Sequence, residues 1–105
     1  MPTEMRRSPR YPFFASAEII EGSSKSITKA RTSDLSRHGC YMDMMNPFLH
    51  GASLNVRIVH GGQAVDASAR VVHSQPNVGM GLSFEEIEPG QQPIIDQWLR
   101  ALEAA

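Results

Sequence analysis

The stretch from Ala52 to His73 constrains the fold most. Ala52, Leu54, Val56 and Ile58 alternate with other residues, Gly61-Gly62 interrupts, and Val65, Ala67, Ala69 and Val71 resume the alternation. A period of two is the mark of a strand with one buried face, and paired glycines suit the left-handed backbone of a two-residue hairpin. An isolated hairpin cannot bury an apolar face by itself, so the rest of the chain must supply more sheet.

It does so on both sides. Phe13–Glu21 (FFASAEIIE) reads as a first strand, Gly22-Ser23-Ser24-Lys25 as a turn, and Ser26–Ser33 (SITKARTS) as a second, more exposed strand. Asp34-Leu35-Ser36-Arg37-His38-Gly39 reads as a tight connection, because Asp and Ser bond to nearby backbone and Gly permits positive φ. Gly39–Met44 is a third strand, followed by a loop around Pro47. Ala52–Val59 and Gln63–His73 are the fourth and fifth. The sixth, Val78–Phe84, places Val78, Met80, Leu82 and Phe84 on one face and leaves Gly79 and Gly81 as bare backbone on the other. The period then changes. Ile94, Ile95, Trp98, Leu99 and Leu102 recur at helical spacing, with Pro93 in the first turn and Gln91 or Gln92 near the cap.

The predicted fold class is therefore all-β with one helix: six short antiparallel strands that favour closure into a small barrel, plus a C-terminal helix covering an opening or docking a partner. With 105 residues the chain is expected to be one domain, comprising a flexible arm over 1–12, a barrel over 13–87 and a helix over 90–103.

Charge and cysteine usage narrow the function. Ten basic and eleven acidic residues give a net charge of -1, so an anion can be held only by a local cluster. A single cysteine, Cys40, excludes an internal disulfide and fits a reducing compartment. The charged N-terminus has no apolar run behind it, and no stretch is long enough to span a membrane. A cytoplasmic protein without membrane insertion is expected.

Catalytic and metal chemistry find little support. His38, His50, His60 and His73 are scattered, and no second cysteine accompanies Cys40, which reads as a small core residue. Glu85, Glu86 and Glu88 read as solvated loop charges. Gly79-Met80-Gly81 lies inside a strand pattern, so it is no phosphate loop opening a helix. The chain is expected to be no enzyme and to carry no cofactor or metal.

Two short pieces remain. Met5-Arg6-Arg7-Ser8-Pro9-Arg10 carries three arginines on a chain that Pro9 keeps extended. Guanidinium forks suit phosphates and the O6/N7 edge of guanine, although such a cluster alone is equally a solvated tail. Asp34-x-Ser36-x-x-Gly39 alone is equally an ordinary turn. Taken together they complement each other. A carboxylate at Asp34 can accept the N–H groups of a guanine's Watson–Crick edge, Arg6 or Arg10 can fork its Hoogsteen edge or a phosphate, and Ser36 and Gly39 can serve a phosphate or an exocyclic group.

With both motifs in this order on a six-strand pattern, nearly the whole chain resembles the PilZ domain, the bacterial receptor module for cyclic di-GMP. Arg6 to Arg10 matches the family's Arg-x-x-x-Arg motif, Asp34 to Gly39 its Asp/Asn-x-Ser-x-x-Gly motif, and Val78 to Phe84 its last strand. The resemblance implies a six-stranded split barrel and a ligand-binding set of Arg6, Arg10, Asp34, Ser36 and Gly39. It implies that the arginines grip phosphate and guanine and that ligand orders a mobile arm against the Asp34–Gly39 turn. No motif position is substituted, unlike in members that lack the arginines and bind only proteins. His73 stands where many members have a tryptophan; it can stack on a base or be an ordinary strand-end residue. Arg7 can reach the ligand or stay in solvent, and Arg37 and His38 rank with it. Met5, directly before the first motif arginine, leaves the ligand stoichiometry open.

The implied function is that of a non-catalytic cyclic di-GMP receptor signalling to an unidentified partner protein. The alternative is a nucleotide-independent protein-interaction module in motility, pilus or secretion systems, docking through an exposed helix stripe. A single-stranded nucleic-acid binder fits poorly, because the basic residues are confined mainly to the arm and few strand aromatics are exposed. Oligomeric state and the process regulated stay open.

Overall fold

The computed structural model describes residues 8–21 and 26–105. Its strands are β1 (Tyr11–Pro12), β2 (Ser16–Glu21), β3 (Ser26–Leu35), β4 (Gly39–Asp43), β5 (Ser53–His60), β6 (Gln63–Gln75) and β7 (Gly79–Ile87), followed by helix α1 (Gln92–Ala104). All pairings are antiparallel. The order β3-β2-β5-β6-β7-β4 closes on itself through β3–β4, giving the expected six-stranded barrel. Alternate residues point inward: Ala17 and Ile19 on β2, Cys40 and Met42 on β4, Leu54, Val56 and Ile58 on β5, and Val65, Ala67, Ala69 and Val71 on β6 are all buried. The β5–β6 hairpin turns at Gly61 and Gly62, with φ of 60° and 79°, as a primed two-residue turn requires.

Several boundaries differ from the sequence reading. Phe13–Ala15 leaves the ladder, and Tyr11-Pro12, read as part of the arm, pairs with Leu35 and Asp34 as β1. Thr32 is the cause. Its fully buried hydroxyl donates to the Phe13 carbonyl at 2.6 Å and accepts the Ala15 N–H at 3.0 Å, so a side chain replaces ladder bonds in the break between β1 and β2. β3 runs two residues further than expected and includes Asp34 and Leu35, with a register shift between Thr32 and Asp34. β6 and β7 run on to Gln75 and Ile87. Val78 lies outside β7 and is exposed rather than sharing the inner face of Met80 and Leu82.

The helix closes over the barrel rather than offering its stripe to solvent. Ile95 and Trp98 are buried, and the Trp98 ring packs against Phe13 and His60 with centroids 5.3 and 5.7 Å away. Gln91 occupies the N-cap position but makes no side-chain cap bond. It reaches back to β6 instead: its Oε1 accepts the Asp66 N–H at 2.6 Å and its Nε2 donates to Asp66 Oδ2 at 3.4 Å. Asp66 also pairs with Arg57 at 2.9 Å and accepts the Glu88 N–H on its backbone carbonyl. One residue thus ties together β5, β6 and the lead-in to α1.

β4 and β7 approach so closely that two positions exclude a side chain. A Cβ on Gly39 would sit 2.0 Å from the Leu82 carbonyl oxygen, and one on Gly79 2.1 Å from that of Met42. At Gly81 the nearest atom would be His73 Cβ, at 3.4 Å.

Two predictions follow from these contacts. Gly39→Ala should destabilise the fold by about 1–3 kcal/mol, as other overpacking changes do, whereas Gly81→Ala should cost less than about 1 kcal/mol; urea unfolding followed by circular dichroism measures both. The Arg57 guanidinium, with help from Gln91, lowers the Asp66 carboxyl below its ordinary 3.8. A lowered folded-state value contributes stability above the unfolded value that is lost as pH falls through the folded one. Asp66→Asn should therefore lower the melting temperature modestly at pH 7 and flatten its fall below about pH 4, so that variant and wild type converge in acid.

Candidate functional site

The end of β3, the turn after it and the last residues before β1 meet on the outside of the barrel. Asp34 faces out because Leu35 beside it is buried, and the register pairs it with Tyr41 on β4 and Pro12 on β1. Arg10, two residues before Pro12, donates from Nη1 to Asp34 Oδ2 at 3.5 Å. Both side chains are partly exposed (47% and 27%), so the pair is long and solvent-screened and contributes little to stability. The other carboxylate oxygen differs. Asp34 Oδ1 is shut off from solvent and has no hydrogen-bond partner among the described residues.

Ser36 and Gly39 build the turn that holds this carboxylate. The Ser36 N–H donates to the Gly39 carbonyl at 2.8 Å, and the Ser36 hydroxyl donates to that carbonyl and accepts the His38 N–H, each at 3.3 Å. Ser36 is itself buried, and the His38 carbonyl accepts the Phe84 N–H at 2.8 Å, which pins the turn to β7. The serine and glycine of the motif thus have local work in shaping the turn, which residue spacing alone does not show. Arg37 projects the other way, to within 3.7 Å of Asp96 on α1. A groove of about 310 Å³ runs between Ser8, Pro9, Tyr11, Arg37 and the helix residues Asp96 and Arg100.

His73 is exposed on β6 and pairs with Gly81, which pairs on its other side with Tyr41. Asp34, Tyr41, Gly81 and His73 thus form one row across four strands, spanning about 14 Å at ordinary strand spacing. Of the expected ligand set, Arg10, Asp34, Ser36 and Gly39 come together, and His73 stands at the far end of the row. Arg6 and Arg7 lie outside the described residues. Arg10 already stands against the turn through the chain's own ion pair, so this part of the arm needs no ligand to reach it.

A larger hollow, about 470 Å³, lies around Asp66, Ser68, Glu86 and Glu88, five residues along β6 from His73. Its carboxylates disfavour an anionic ligand. Cys40 is fully buried beneath the site, and burial, with the Asp34 charge, pushes its thiol up to about 12, so it is no nucleophile at neutral pH. Among the described residues no three His, Cys, Asp or Glu side chains gather as a metal site, and no helix is long and apolar enough to cross a membrane.

The family model for the PilZ domain matches residues 4–101. No curated protein matches the sequence. Among solved structures, the PilZ domain of CeSA from a cellulose-synthesising bacterium is 21% identical with a TM-score of 0.72, covering 91% of this chain and 99% of that one. The PilZ domain of YcgR from Escherichia coli, solved with cyclic di-GMP, is 13% identical with a TM-score of 0.73, covering 94% and 92%. The Bacillus subtilis inhibitor of motility MotI/DgrA is 19% identical with a TM-score of 0.71, covering 93% of this chain and 54% of that one. These identities establish likeness of fold. The family model, spanning almost the entire sequence, establishes more: the chain belongs to the PilZ domain family, a family of cyclic di-GMP receptors.

Proposed function

We propose that this protein is a non-catalytic receptor that binds cyclic di-GMP over the Asp34 turn and passes the signal to a partner protein. The observation that carries the reading is the buried oxygen Asp34 Oδ1, which has no hydrogen-bond partner among the described residues, beside Arg10. A buried acceptor without a donor costs about 1–3 kcal/mol, a cost a ligand can remove by displacing the groups that cover it and supplying N–H groups in their place. The Watson–Crick edge of guanine carries two such donors, N1–H and the 2-amino group, aligned for a carboxylate. Arg10 can turn its fork to a phosphate or to the O6/N7 edge of a guanine. A guanine dinucleotide with two phosphates needs both groups within a few ångströms, and a net charge of -1 leaves no other strong reason for an anion to settle here. Arg6, the other motif arginine, completes the set in this reading.

The buried stripe of α1 weighs against the alternative module that would dock through that stripe, since Ile95 and Trp98 are already used on the barrel.

Calorimetric titration with cyclic di-GMP tests the proposal: saturable heat at micromolar ligand is expected, and its absence sinks it. Arg6→Ala, Arg10→Ala and Asp34→Ala should each weaken binding by about 1.5–3 kcal/mol, roughly 10- to 150-fold. Asp34→Ala should leave the melting temperature nearly unchanged or raise it, because it removes an uncompensated buried oxygen and only a solvent-screened ion pair.

A further inference from the structure

We propose that Tyr41 is the stacking floor for one guanine of the dinucleotide, an inference that rests on the receptor reading above and assigns it a residue outside both motifs. Tyr41 stands directly across from Asp34 in the β3–β4 register and directly across from Gly81 in the β4–β7 register. Its neighbours Cys40 and Met42 are buried inward, so its own ring is on the outer surface. There it covers the two glycines of β7. The Cβ position of Gly81 is 3.7 Å from Tyr41 Cδ1, and that of Gly79 is 2.8 Å from Tyr41 Cε2. Contacts at both ring edges place the ring along the β7 backbone, in the space that two side chains would fill. One face of the ring is thereby used up and the residue is half-buried. The opposite face is left toward the solvent side of the row.

The location supplies what the recognition of a planar base needs. Directly opposed residues of an antiparallel pair have Cβ atoms about 4.5–5.5 Å apart, so the ring face and the Asp34 carboxylate are within one base of each other. A purine whose Watson–Crick edge meets Asp34 Oδ1 must rest its face on something nearby, and aromatic rings stack on any base. Gly81 itself adds no side chain, and the Tyr41 ring lies over it close to His73, so the ring's outer face is the surface a purine would meet between Asp34 and the far end of the row.

A purely structural role is the rival account, since an aromatic ring laid over strand glycines shields exposed backbone. Titration of wild type, Tyr41→Phe and Tyr41→Leu with cyclic di-GMP separates the two. Tyr41→Phe keeps the flat face and should stay within about twofold of wild type. Tyr41→Leu keeps apolar bulk without a π-face and should weaken binding by about 5- to 150-fold, the usual worth of one base–aromatic stack. Should Tyr41→Leu fold poorly, wild-type protein decides the matter. The chain has two tyrosines, so the Tyr41 ring resonances are identified by comparison with Tyr41→Phe, and they should move upfield at saturating ligand. Wild-type binding with no ring shift, or with Tyr41→Leu unaffected, overturns the stacking role and leaves the receptor reading standing. No binding by wild type overturns both.

Discussion

β3 is hydrogen-bonded along both edges, to β1 and β2 on one side and to β4 on the other, and the site depends on that double engagement. In an open sheet its final residues would lie at an edge, with free backbone groups and mobile side chains. Closure instead fixes Asp34 between Pro12 and Tyr41 and sets the buried Leu35 beside it as an anchor. The carboxylate therefore cannot swing freely into water. One of its oxygens meets Arg10 and the other is held against the protein without a donor among the described residues. Holding an acceptor in that state costs stability, and only a rigid surround can sustain it.

The turn after β3 supplies that surround. Ser36 is buried and bonded to both Gly39 and His38, and His38 is bonded to Phe84, so the turn cannot relax outward to solvate Asp34. Gly39 lets β4 lie against β7 at a distance no other residue allows. Among the family motif residues, then, the side chains divide by physical task. Arg10 and Asp34 carry charge to the surface, whereas Ser36 and Gly39 hold the backbone that presents Asp34. Arg37 extends the same turn to Asp96 on the helix, so the site also touches the element that caps the barrel through Trp98.

Much of this was legible in the sequence. Half-buried strands alternate because inward positions such as Val56 and Ala69 must be apolar and outward ones must not, and the Gly61-Gly62 turn marks its own hairpin. The PilZ resemblance followed from two motifs spaced on that pattern, and the family model covers the same chain. Three features were not legible. The break at Phe13–Ala15 is imposed by the Thr32 hydroxyl, seventeen to nineteen residues away in sequence, so local apolar alternation suggested an unbroken strand. The Gln91 side chain makes no cap bond because both its oxygen and its nitrogen are engaged by Asp66, twenty-five residues earlier. Tyr41 reads as any outward strand residue, and only the register of three strands puts it beside Asp34 and over the β7 glycines.

The same geometry separates core from outer surface along each strand. On β4, Cys40 and Met42 point into a core whose contacts hold the barrel together, while Gly39 and Tyr41 lie on the outer face and Tyr41 belongs to the row. On β7, Met80 and Leu82 point inward and Gly81 completes that row. A change at an outward position therefore alters the surface without opening a cavity, except where backbones touch, as at Gly39 and Gly79. Closure has a second consequence here. The row from Asp34 to His73 crosses β3, β4, β7 and β6, joining residues thirty-nine positions apart in sequence through the β4–β7 pairing, which brings together two hairpins distant in the chain. A continuous outer row of that width on so short a chain depends on the closed sheet, which is why the barrel and the candidate site cannot be separated: loosening the β3–β4 seam would free Asp34 and break the row together.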